Sequence, residues 1–108
     1  MTPPTEAAKA ARFGLFLYRG GRGGKGLRPE TILFAEQLGR GENITPEQAT
    51  RTHAWFARFS VNGPAVRARA RDDWSPAAVA WALHGGDPMW RWLQEVYREF
   101  EELPRRRV

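Results

Sequence analysis

Between Tyr18 and Arg28 the chain reads YRGGRGGKGLR, a stretch with five glycines and four cations and no acid among them. Two kinds of chemistry fit such a stretch. GRGGKG matches the G-x-G-x-x-G spacing of dinucleotide turns, but that turn needs a strand before it and a helix opening directly on its glycines. Here a helix-forming run precedes it, and the next helix start, LRPET, lies an extra turn away. A P-loop fits less well, because Gly26 follows Lys25 where Ser or Thr would hold the metal. The second chemistry is contact with a phosphate chain. Glycines let the backbone approach closely, and Arg19, Arg22, Lys25 and Arg28 could each meet one phosphate and release a condensed counterion.

Two further basic clusters extend this expectation, Arg67, Arg69 and Arg71 in the middle and Arg105, Arg106 and Arg107 at the end. Each has a plainer reading: Arg71 pairing with Asp72 or Asp73, and the last arginines forming a solvated tail over 104–108. Aromatic residues are numerous, and Trp90 with Tyr97, off the main apolar stripe of the last helix, are the candidates for stacking on bases or docking on a partner. The competing use of these rings is to fill the core of a chain with few leucines.

No catalytic or metal set emerges. The chain has no cysteine, which excludes disulfides, thiolate zinc sites and a cysteine nucleophile. Neither histidine has a carboxylate or second histidine at ligand spacing. His53 reads as a core or boundary residue, and His84 as a helix C-terminal group where a cation or donor suits the dipole. No cofactor is expected.

These residues must be carried by a single small domain. A length of 108 residues allows one core, and 42% apolar content with five tryptophans argues against disorder throughout. The formal charge is +5, from fifteen arginines and two lysines against twelve acids. Arginine's planar fork suits bidentate phosphate contacts, although a GC-rich coding bias would also raise arginine over lysine. No apolar run approaches the roughly 20 residues of a membrane span, and MTPPTEAAKAAR lacks the pattern of a signal peptide.

The punctuation predicts about five helices joined by Gly/Pro-rich connections. TPEQ at Thr45 is a capping box with proline at N1; SPAA at Ser75 and DPMW at Asp87 follow the same grammar, and PPTE at Pro3 and RPET at Arg28 more loosely. Glycines after Tyr18, around Gly39, at Gly63 and at Gly85 supply the stops. Met89, Trp92, Leu93, Val96, Phe100 and Leu103 form one helical face. Ile32, Ala35 and Leu38 form a second, and Ala49 and Phe56, with Phe59, a third. FGLFLY continues the helix begun by TEAAKAAR. In SPAAVAWALHGGD, Val79, Ala80 and Leu83 face inward, Gly85 ends the helix and Asp87 caps the next. NGPAVRARARDDW fits a loop, a short helix or an extended arm. The fold class is all-α.

SPAAVAWALHGGDPMWRWLQ, together with the early PP, GRGGKGL, AEQLGRGENITPEQ and AWFAR in the same order, resembles a small helical domain that recurs in bacteriophage-encoded proteins, alone or attached to larger ones. After AWFAR the chain departs, with Phe59, Ser60 and VNGP where the family continues with a histidine and an acidic-basic run. The resemblance implies a compact helical fold, a phage origin and thus the cytoplasm of a host cell or a virion, and it transfers no enzymatic motif. The expected function is non-catalytic binding of nucleic acid, DNA before RNA, through phosphates. The alternative is a protein-interaction module that docks through exposed aromatics.

Overall fold

A computed structural model of the protein describes residues 1–59 and 75–102. The described chain is all-α: α1 Thr5–Arg19, α2 Pro29–Gly39, α3 Pro46–Phe59, α4 Pro76–Leu83 and α5 Gly86–Glu102. The three-way question over NGPAVRARARDDW, the basic cluster within it and the tail at 104–108 lie outside the described residues.

The predicted caps form as the side chains dictate. Thr45 Oγ1 accepts from the Gln48 amide at 3.0 Å while Gln48 Oε1 accepts from the Thr45 amide at 2.9 Å, a reciprocal capping box. Ser75 accepts from the Ala78 amide at 3.3 Å and starts α4. One cap differs. Helix α5 opens at Gly86, and Gly85 and Gly86 have φ of 106° and 66°. Asp87 is therefore already in the first turn, where its carboxylate accepts from Trp81 Nε1 at 2.9 Å.

Helix α1 is the hub and packs against α2, α4 and α5, while α3 leans on α5. Its inner face is built from small residues. Ala7, Ala11 and Gly14 are buried at helical spacing, and a Cβ built on Gly14 would lie 2.8 Å from the backbone nitrogen of Leu83. Backbone thus meets backbone. The turn into α5 rests on the same stripe, with a Cβ on Gly86 falling 3.0 Å from that of Ala10.

Of the expected inner faces, Ala35 and Leu38 on α2, Ala49, Thr52 and Phe56 on α3, and Met89 and Leu93 on α5 are buried, whereas Ile32, Phe59, Trp92 and Val96 are half-buried and Leu103 lies outside the described residues. Helix α4 is buried almost all round, with Ala78, Trp81 and Ala82 joining Val79 and Leu83, and Ala80 only half-buried. Phe56 and Trp81 meet edge to face at 4.7 Å in the centre, and Trp55, Trp90 and Trp92 pack half-buried around them.

Adding one methyl group at Gly14 favours the helix by about 1 kcal/mol, but overpacking against a backbone that cannot rotate aside costs about 1 to 3 kcal/mol. The second effect wins. Gly14→Ala is expected to lower the midpoint of urea unfolding, whereas Gly26→Ala, whose Cβ would meet nothing within 4 Å, leaves it unchanged or slightly raised. Equal midpoints for the two variants would contradict the close packing of α1 on α4.

Candidate functional site

The glycine-rich stretch is a packed bridge. The amides of Gly21 and Arg22 donate to the carbonyls of Tyr18 and Leu17, both at 3.0 Å, which closes the end of α1. Gly21 and Gly24 have φ of 90° and 70°, open to glycine and costly for other residues. Gly23 is buried, because a Cβ there would lie 2.6 Å from the Tyr18 ring and 2.7 Å from Leu27. A Cβ on Gly24 would approach Pro76 at the head of α4 to 3.1 Å. A helix precedes the glycines and α2 begins only at Pro29, so the surroundings of a dinucleotide turn are absent.

This path divides the four loop cations. Arg19 and Arg22 line a shallow hollow with Arg12 and Phe16 on the α1 side, and there Arg19 contacts Glu36 at 3.3 Å. Arg12 is engaged as well, donating to the Gly39 carbonyl at the end of α2 at 2.6 Å. Lys25 and Arg28 instead face a cleft of about 1180 Å³ between the loop, α2, α3 and the start of α4. Opposite them, from α3, stand Arg51 and Arg58.

Sequence reasoning passed over these last two cations. Arg51, Ala54, Trp55 and Arg58 follow one another at three, one and three residues along a helix and so form a single stripe, and all four line the cleft. Glu47 stands four residues before Arg51, where a helix commonly pairs the two. No ion pair joins them, and those present among the described residues are Lys9–Glu6, Arg19–Glu36 and Arg40–Glu42. The only carboxylate lining the cleft among the described residues is Glu30.

The cleft has an aromatic wall. Phe34 and the ring of His84 are 6.5 Å apart, His84 stacks on Trp55 at 3.7 Å and 13°, and Trp55 meets Phe59 at 5.0 Å. All four rings line it, and Leu33, 64% exposed, stands at its edge. A reciprocal amide pair, Gln37 with Gln48 at 2.8 and 3.1 Å, ties α2 to α3 at the same cleft.

His84 takes the donor role, one of the two that its place allows. Its place at the end of α4 allows a cation there, but burial against Trp55 lowers its pKa to about 4, opposed only by the bond between Nδ1 and the Ala80 carbonyl at 2.7 Å. The ring is a neutral donor. Trp90 and Tyr97 are half-buried; His53 stacks on Tyr97 at 3.8 Å and tilts toward Trp90 at 5.2 Å, and Trp90 also stacks on Phe56 at 5.5 Å. These rings flank His53, on the boundary of the core, and neither belongs to the cleft. Arg67, Arg69, Arg71 and Arg105 to Arg107 lie outside the described residues.

Among the described residues no group of three or more His, Asp or Glu is placed to hold a metal ion, and no helix is long and apolar enough to cross a membrane. Comparison with family models, with curated proteins and with solved structures finds no match to this chain.

The state of His84 sets a pH dependence. As pH falls through 6.5 the unfolded chain takes up a proton that the folded imidazole refuses until about pH 4, so this contribution is intact above 6.5 and is lost on the way down to 4. Between pH 7 and pH 5 the loss is about 2 kcal/mol. His84→Gln removes that part of the slope, which denaturant titrations of both chains at the two pH values would show as a smaller pH effect in the variant.

Proposed function

We propose that this protein binds nucleic acid without catalysing a reaction on it, holding the strand by its phosphates in the cleft between the glycine-rich loop and α3, in the phage setting that the sequence resemblance implies. The observation that supports this is the convergence of Lys25, Arg28, Arg51 and Arg58 on one cleft where, among the described residues, Glu30 is the only lining carboxylate. Exposed cations that face one another repel, and a polyanion relieves that repulsion while releasing its own counterions. Arg19 and Arg22 lie apart from this surface, in the hollow on the α1 side, and Arg19 is drawn aside by Glu36.

A second reading has its own observation. Phe16 is 72% exposed on α1 and stacks on Phe13, itself 42% exposed, with ring centres 6.4 Å apart. Exposed paired aromatics of this kind suit docking on a protein partner.

A fluorescence-anisotropy titration with a labelled DNA oligonucleotide at several salt concentrations separates the two. Lys25→Gln, Arg28→Gln, Arg51→Gln and Arg58→Gln should each weaken binding and reduce the slope of log K against log salt by about one unit. Arg40→Gln, which lies off the cleft and pairs with Glu42, should change neither. An unaltered slope in the four cleft variants, or no binding at low salt, defeats the first reading. A defined oligomer in light scattering that Phe16→Ser disperses would support the second.

A further inference from the structure

Resting on that reading of the cleft, we infer that its ligand is a single strand whose unpaired bases lie against the row Phe34, His84, Trp55 and Phe59, and that duplex nucleic acid is not its substrate. Three observations converge. First, the cations and the rings belong to the same concave space. A duplex offers phosphates outside and keeps its bases stacked within, so proteins read it with an element that protrudes into a groove. A hollow with charge at its sides and rings along its wall matches a strand that has already exposed its bases.

Second, the rings continue one another. Centroid separations of 6.5, 3.7 and 5.0 Å carry an aromatic surface from α2 through the end of α4 to the end of α3. His84 stacks behind Trp55 and is neutral at physiological pH, so it supports the row without adding charge, and the cations that track the backbone stand on the loop and on α3. Leu33 enlarges the apolar margin on the α2 side. Third, a cleft of about 1180 Å³ exceeds the roughly 300 to 1,000 Å³ usual for small-molecule sites. A short run of nucleotides fits it better than one free nucleotide does. An acidic peptide shares the charge complementarity but gains less from a succession of ring faces, since few of its side chains are flat.

The experiment compares four ligands of equal charge at one low salt concentration: a dT oligonucleotide, an abasic strand of the same length, a DNA duplex and a poly-glutamate peptide. The dT strand is expected to bind at least about tenfold tighter than the other three, since stacking contributes about fivefold to a hundredfold per base. Phe34→Leu and Phe59→Leu, conservative enough to keep the fold, should reduce that preference while leaving affinity for the abasic strand unchanged. Thermal unfolding of each variant confirms that it is folded. Equal affinity for dT, abasic strand and duplex overturns the inference and leaves the phosphate-binding reading standing. Binding of poly-glutamate as tight as that of dT overturns it in favour of an acidic protein partner. If none of the four binds, the phosphate-binding reading fails first and this inference falls with it.

Discussion

The contact on which the rest of the molecule depends is the backbone approach of α1 to α4 at Gly14. Ala7, Ala10, Ala11 and Gly14 leave no side-chain bulk between α1 and the segment from Ala82 to Gly86. Two helices with ordinary side chains at their contact lie 8 to 10 Å apart, and a stripe of small residues brings them nearer. Because α1 also carries α2, this one contact sets the spacing between α2 and α4, two of the walls of the cleft. The glycine bridge fixes the same spacing from the other side, with Gly23 pressed between Tyr18 and Leu27 and Gly24 against Pro76.

Much of the fold could be read from residues acting on their near neighbours. The capping box at Thr45, the Ser75 cap and the prolines at the starts of α2, α3 and α4 need only three or four residues of context, and they form as expected. The contact of Asp87 with the indole of Trp81, six residues away, lies outside that local context, because it depends on how α4 and α5 pack. His84 keeps the donor role expected of it, and which of cation or neutral donor it becomes is again decided by packing. A helix C-terminus favours a cation by about 0.3 to 1 kcal/mol, whereas a pKa drawn down from 6.5 to about 4 reflects about 3 kcal/mol of desolvation. The larger effect depends on Trp55, which lies on another helix.

The candidate site was half legible. Lys25 and Arg28 were expected as anion contacts and do line the cleft, but nothing local distinguishes them from Arg19, which the folding of the loop turns toward Glu36. Arg51 and Arg58 carry no signal in the sequence, where two arginines seven apart on an amphipathic helix read as an ordinary solvated face. Their significance comes from what stands opposite, and that depends on the packing of three other elements. The aromatic residues gave the converse difficulty. Rings that fill a core and rings that line a cleft have the same composition, and Trp55 does both, touching Phe56 and Trp81 on one side and the cleft on the other.

The distribution of acids bears most directly on use. Glu6, Glu36 and Glu42 each neutralise a cation outside the cleft, and surface pairs of this kind contribute little to stability. Glu47 is at pairing distance along α3 from Arg51 and does not take it. A molecule folded for stability alone has no need to leave Arg51, Arg58, Lys25 and Arg28 around one hollow where, among the described residues, Glu30 is the only lining carboxylate, since their mutual repulsion opposes the compact state. The tension is tolerable because the four groups are exposed and hydrated, and at physiological ionic strength a Debye length of about 8 Å screens exposed charges. On the proposed reading, an anion entering the hollow relieves the repulsion and displaces water from an apolar wall in the same step.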